Sequence, residues 1–235
     1  MVLKLYGNLN ATCTKRVRTV LAELDVPYEF ISIDLAKGEQ KTPEYLALQP
    51  FGQVPYLDDD GFGLFESRAI ARYLGLKYGG VGTLIPEPTD VQKTALFEQA
   101  ASIEMSDFEP SAVGLAIENL FKPYAFSLVS QMDSQAHCVG DDRMYGKPTD
   151  TATVERLKAT LEGKMAGYEA ILSKTQFLAG NVRTWGLRSQ AQNHVTDGRH
   201  QEITLADLFH LPCGSLLEQQ GIDYLVSDRW PNVAR

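Results

Sequence analysis

The stretch Gln49–Leu74, QPFGQVPYLDDDGFGLFESRAIARYL, packs two strands, a tight turn and a helix start into one run, and its order sets the layout of the first third of the chain. Val54–Leu57 (VPYL) and Gly63–Phe65 (GLF) read as strands, and Asp58–Gly61 (DDDG) between them as a hairpin turn. Pro55 has no N–H for a ladder, so it belongs at a strand's first residues or at an edge. Glu66-Ser67 leads into a helix whose Ile70, Tyr73, Leu74 and Leu76 recur at helical spacing. Towards the N-terminus, Val2–Tyr6 (VLKLY) reads as a strand ended by Gly7-Asn8. Val17, Val20, Leu21 and Leu24 give Thr12–Glu23 an apolar helical face, Asp25-Val26-Pro27 closes that helix, and Tyr28–Asp34 (YEFISID) is a further strand. Strand, helix, strand, loop, hairpin and helix within residues 1–80 make a small α/β layer domain.

Beyond it the strand signals stop. The Gly- and Pro-rich run Gly79–Pro88 predicts a linker at 81–88, and Thr89-x-x-Gln92 predicts a capping box opening a long helix. A second helix is expected over Thr151–Ser173, with Val154, Leu157, Leu161, Met165, Tyr168 and Leu172 on one face. A third opens at ITLADLFHLP, where Thr204 is the N-cap, Asp207 its N3 partner, and Ile203 and Leu208 a hydrophobic staple. The fold class is thus α/β plus all-α, with residues 89–235 an all-helical C-terminal domain.

Composition narrows the chemistry. The 235 residues carry 44% hydrophobic and 22% charged side chains at a mean hydropathy of −0.19, ordinary globular values. A net charge of −8 disfavours a nucleic-acid partner. No apolar run reaches the length of a membrane span, and the N-terminus lacks a signal-peptide pattern, so the expected compartment is the cytoplasm, with no membrane partner. Three distant cysteines, Cys13, Cys138 and Cys213, fit neither a disulfide framework nor paired-cysteine zinc ligation. His137, His194, His200 and His210 show no metal spacing, and no phosphate loop is present, so no metal is expected.

The run Gln49–Leu74 resembles the glutathione-binding half of cytosolic glutathione transferases, closest to phi-like classes, and FLAG followed by TLADLFHLP is similar to the capping box and staple of that family's helical domain. The resemblance implies a thioredoxin-like N-terminal domain, glutathione as co-substrate, small hydrophobic electrophiles as second substrates, and a homodimer. Glutathione is an extended peptide that a strand edge can bind by β-augmentation. In the family the proline equivalent to Pro55 is cis and turns the backbone equivalent to Val54 towards the peptide. Ser67 at a helix start offers a hydroxyl and free N–H groups to the γ-glutamyl carboxylate. Glu66 would meet the γ-glutamyl ammonium, and Gln53 and Lys41 the peptide backbone and glycyl carboxylate. Gln40 stands where phi-like members usually carry histidine. Phe51 resembles the apolar key that docks into the partner's helical domain.

The catalytic position departs from the family. A hydroxyl near the first helix's N-terminus there ionises the glutathione thiol, with help from the helix dipole. Anchoring on Thr14–Val17 (TKRV) puts that serine at Ala11, which cannot donate. Three substitutes stand open: the Thr12 hydroxyl, Cys13 as a thiol making mixed disulfides, or backbone N–H groups with Asn10. Cys13 also reads as a small buried hydrophobe facing the sheet. Asn10, Leu35, Phe108 and Leu115 are candidates for the electrophile site between the domains. Other readings of the whole are a glutathione-binding or ligand-carrier protein with weak transferase, peroxidase or thiol-exchange activity, and a non-enzymatic interaction domain.

Two segments, 124–143 and 182–201, interrupt the family's spacing, and removing both restores it. Codon choice allows a GT border at Val182 and an AG border at Gln201, and the first segment permits the same with borders inside the Pro123 and Arg143 codons, so both are expected to be retained introns, with genuine loops as the alternative. The end at WPNVAR falls before the last helix the family normally has.

Overall fold

The computed structural model describes residues 2–124, 147–180 and 203–234. The two suspected insertions lie outside the described residues, apart from Tyr124. The first layer holds β1 (Lys4–Gly7), α1 (Thr12–Glu23), β2 (Glu29–Ser32), a short 3₁₀ turn at Glu39–Lys41, α2 (Pro43–Leu48), β3 (Tyr56–Asp59), β4 (Phe62–Phe65) and α3 (Ser67–Lys77). The sheet runs β2-β1-β3-β4, with β1 parallel to β2 and β3 antiparallel to both neighbours.

Alternation along these strands separates two cores, because successive side chains point to opposite faces. Leu5 and Leu57, directly paired, are both fully buried with Val17, Val20 and Leu21 of α1 and Ile70 and Leu74 of α3. Their neighbours Tyr6 and Tyr56, the next pair, belong to the other cluster with Ile33, Tyr45 and Phe65. Each fully buried Leu or Ile contributes about 1.5–3 kcal/mol, so the first cluster fixes α1 and α3 against the sheet. The hairpin is tight: Asp60 and Gly61 have φ of +57° and +85°, and the Gly61 N–H donates to Asp58 Oδ1 at 2.8 Å. Positive φ at both central residues is the type I′ geometry that matches strand twist. As a result β3 begins at Tyr56, with Val54 and Pro55 ahead of the ladder, where a residue lacking N–H costs nothing.

The helical layer holds α4 (Val91–Ile103), a π-helical turn (Glu104–Phe108), α5 (Glu109–Ala116), a second π turn (Ile117–Phe121), α6 (Thr151–Leu172), α7 (Leu205–Leu208) and α8 (Leu211–Gln219). The cap of α4 is Asp90, whose carboxylate accepts from the Lys93 N–H at 3.0 Å; Thr89 lies one residue outside. A carboxylate accepts strongly and complements the helix dipole, which is why the register shifts by one. At α7 the expected capping box is present: the Thr204 N–H donates to Asp207 Oδ2 at 2.9 Å. Along α6 Val154, Leu161, Met165 and Tyr168 are buried, as their spacing predicts, while Leu157 and Leu172 are half-buried.

The two layers share one core. Phe97, Ala100 and Ala101 of α4 and Leu205, Ala206 and Leu208 of α7 join the α1–α3 cluster, and Leu84 and Ile85 of the 81–88 segment are buried in it. The Leu205 N–H donates to the Leu84 carbonyl at 2.8 Å. A second cluster, Phe108, Ala112, Leu115, Leu161, Met165 and Cys213, holds the helical layer together.

Candidate functional site

One end of the sheet collects the predicted residues, and strand direction is the reason. Tyr6, Tyr56 and Phe65 stand in one cross-strand row. The chain leaves β1 past Tyr6 towards Asn8–Thr12, enters β3 from Val54-Pro55, and leaves β4 towards Glu66-Ser67, so all three segments meet at that end. The Val54–Pro55 peptide is cis, as the family resemblance implied. Among the described residues the backbone N–H and C=O of Val54 have no hydrogen-bond partner, a free edge for an extended peptide.

Neighbouring loops hold this edge. The Gln53 N–H donates to Gln49 Oε1 at 3.1 Å, and the Tyr45 hydroxyl donates to the Gln53 carbonyl at 2.8 Å. Lys41 Nζ donates to the Phe51 carbonyl at 3.1 Å. Gly52, at φ +60°, lies under that contact: a Cβ there would come within 2.8 Å of the Gln40 carbonyl, so only glycine lets the two loops close. Gln40 is buried; its Nε2 reaches the Leu35 carbonyl, and its Oε1 is without a partner among the described residues. Phe51 is 64% exposed, lying edge-on to Phe65.

Glu66 and Ser67 differ in backbone and burial. Glu66 sits at φ +70°, ψ +104°, a conformation that costs a non-glycine residue about 1–3 kcal/mol, and its side chain is exposed. Strain of that kind collects at binding sites. Ser67 is the first residue of α3, after an N-cap at Glu66, and is nearly buried.

Residues 1–75 match the family model for the glutathione S-transferase N-terminal domain. Over the full length, the chain is 40% identical to glutathione S-transferase PM239X14 of Arabidopsis thaliana, covering 99% of this chain and 88% of that protein. The chain belongs to the glutathione transferase family. Among solved structures it is similar to glutathione transferase F7 of Populus trichocarpa (TM-score 0.76, 29% identity, 99% of this chain and 90% of that one). It is also similar to glutathione S-transferase I from mais in complex with an atrazine glutathione conjugate (TM-score 0.75, 26% identity, 100% and 89%). Relatives of the F type give a phi-like class, and the fold is the thioredoxin-like domain plus helical region expected from sequence.

The family resemblance places the catalytic end at the start of α1. Ala11 is the N-cap there, extended at φ −72°, ψ 127°, and among the described residues no side chain caps the helix. The N–H groups of Thr12, Cys13 and Thr14 are thus the uncapped positive end of the dipole. Thr12 is the first helical residue and half-buried. Asn10 is held through its N–H, which donates to Asn8 Oδ1 at 3.0 Å. Cys13 is half-buried and does not sit in the sheet core: its Sγ lies 3.7 Å from Arg16 Nη1, towards the helical layer. Leu115 is sealed in the helical core, while Phe108, also fully buried, packs on Tyr168 and His210. A cavity of about 750 Å³ lies in the helical layer, bordered by Phe108, Met165, Tyr168, Asp207 and His210.

Sequence reasoning missed a buried ion cluster beside Ser67. Arg16, fully buried, donates to Ser67 Oγ at 2.9 Å and pairs with Glu109 at 2.8 Å and Glu104 at 3.4 Å. Arg68 reaches both carboxylates at 2.7 Å. Burial pushes the Glu104 carboxyl above the usual range, although both arginines pull the other way. At Glu109 burial also raises it, but Arg16 and Arg68 outweigh this and hold it below. The signal available was Arg16 on the apolar stripe of α1, four residues before Val20 and beside Val17.

Proposed function

We propose that this protein conjugates the thiolate of glutathione to small hydrophobic electrophiles. The observation that carries the reading is the backbone of Val54, unpaired among the described residues, beside the cis Val54–Pro55 peptide, at the same sheet end as Glu66 and Ser67. Glutathione pairs with Val54 as an added strand; Ser67 and the first amides of α3 receive the γ-glutamyl carboxylate, Glu66 the ammonium, and Gln53, Lys41 and Gln40 the rest of the peptide. The mais relative's conjugate complex supports a conjugation product as ligand of this fold. The sulfur then faces the uncapped start of α1, where the Thr12 hydroxyl donates to it; Cys13 is the alternative, through thiol exchange. Phe51 serves a homodimer, and the protein works on electrophile detoxification in the cytoplasm. The boundary between glutathione and electrophile domains is drawn at 81–88.

The test is glutathione-dependent turnover of a model aryl halide, with glutathione affinity measured by calorimetry. Turnover that vanishes in Thr12→Ala while affinity stays supports Thr12 as donor. Absence of glutathione binding by the wild-type protein refutes the whole reading. A second reading is favoured by Ala11: binding intact with turnover no faster than the uncatalysed reaction makes the protein a glutathione-dependent carrier.

A further inference from the structure

We infer that Arg16, clamped by Glu109 and Glu104 of the helical layer, is a positioning residue for glutathione, acting through Ser67. The inference rests on the placement of the γ-glutamyl carboxylate at Ser67 proposed above.

Three observations carry it. First, guanidinium nitrogens only donate, so the 2.9 Å contact from Arg16 Nη1 makes Ser67 Oγ an acceptor. The serine proton is thereby turned away from Arg16 and left for an anion at the start of α3. Without that contact the hydroxyl of a first-turn serine is free to rotate towards local carbonyls. Second, Arg16 is itself held from the other layer. Its Nη2 pairs with Glu109 and Glu104, and Arg68, next in sequence to Ser67, reaches both carboxylates. Two arginines and two glutamates thus join α1, the head of α3 and the junction of α4 and α5.

Third, the helix is locally rewound to make this possible. The Glu109 N–H bonds to the Glu104 carbonyl, an i to i+5 hydrogen bond that closes the π turn. In a regular α-helix residues five apart point about 140° from each other at 3.6 residues per turn. The wider turn brings both carboxylates to one side, where each meets Arg16 and Arg68. Single π turns of this kind concentrate at functional sites.

The experiment is a double-mutant cycle in the full-length protein, reading the glutathione Kd by calorimetry and the KM for glutathione and for an aryl halide. Arg16→Lys keeps the charge but loses the planar fork that spans Ser67 and Glu109. Glu109→Gln, at a half-buried position, is the second variant should Arg16→Lys fold poorly. Each single variant is expected to weaken glutathione on the order of tenfold, raising its KM while the KM for the halide stays put. In a Ser67→Ala background the same substitutions are expected to cost nothing further. A glutathione analogue lacking the γ-glutamyl α-carboxylate is expected to bind wild type and Glu109→Gln alike. Equal weakening with and without Ser67, or weakening of the analogue too, overturns the inference and leaves the cluster a structural tie. If Ser67→Ala alone binds glutathione like wild type, the placement at Ser67 has failed, and the inference fails with it.

Discussion

Ala11→Ser restores a hydroxyl at the start of α1, and the structure predicts two separable effects. Ala11 already has the extended backbone of an N-cap, its carbonyl accepts from the Lys15 N–H at 2.9 Å, and among the described residues no side chain caps the helix. A serine oxygen there accepts from an uncapped amide, which stabilises the protein by about 1 kcal/mol. For a chain of this length that raises Tm by roughly 2–4 °C. The same hydroxyl keeps its proton to donate. If the glutathione sulfur sits before this helix end, a hydrogen bond to the thiolate is worth about 1.5–3 kcal/mol. One pKa unit corresponds to about 1.4 kcal/mol, so the bound thiol should ionise roughly one to two units lower. Calorimetric melting reads the first effect. The pH profile of kcat/KM with an aryl halide, and the ultraviolet absorbance of the bound thiolate, read the second. A rise in Tm with no shift in the profile would show the hydroxyl capping the helix with no sulfur beside it, refuting the catalytic placement at this helix end.

Asp59 accepts from Tyr73, Lys77 and Tyr78 at 2.6–2.8 Å at the far end of β3, and although burial raises its carboxyl, these donors hold it below the ordinary range. Asp59→Asn should cost about 1–3 kcal/mol by urea unfolding at neutral pH, and an unchanged midpoint would remove its role. His210 donates from Nδ1 to the Ala206 carbonyl and therefore accepts from the Tyr168 hydroxyl at Nε2, and burial pushes its pKa down to about 4. The unfolded chain takes up this proton near pH 6.5 and the folded one only near 4, so stability should fall as pH drops through that window. The slope from pH 6 to 5 is at most about 1.4 kcal/mol per unit, and an identical slope in His210→Asn would disprove it. If the proposed homodimer forms through Phe51, Phe51→Glu should yield a monomer by sedimentation at micromolar concentration where the wild type is a dimer, and a persisting dimer would remove Phe51 from the interface.

The fold was legible because its signals are local. The alternation of Leu5 with Tyr6 and of Tyr56 with Leu57 sorts residues onto two faces, and the run of acids and glycine at 58–61 leaves the chain little choice but to turn. That the proposed glutathione residues come together was legible for the same reason: Gln53 to Ser67 lie in one run and the hairpin folds it back on itself. Where local rules failed, a stronger local donor or acceptor won, as with Asp90 over Thr89. The Arg16 cluster was beyond such rules. Its partners are 51, 88 and 93 residues away, and singly each charge reads as part of a solvated face.

Stability alone does not account for that cluster. Desolvating Arg16 and Glu104, both fully buried, costs several kcal/mol each, and apolar residues of similar volume in such a place are commonly neutral or stabilising. The Nε of Arg16 is buried without a partner among the described residues, a further cost. What the charges supply that leucines would not is direction: a fork that fixes one serine hydroxyl on α3 relative to two carboxylates across the layer boundary. The π turn at Glu104–Phe108, followed closely by Pro110 with no N–H for a continuous α-helix, places both carboxylates within reach of that fork. Orientation of a ligand-facing group is therefore the economical reading of why these charges are buried at all.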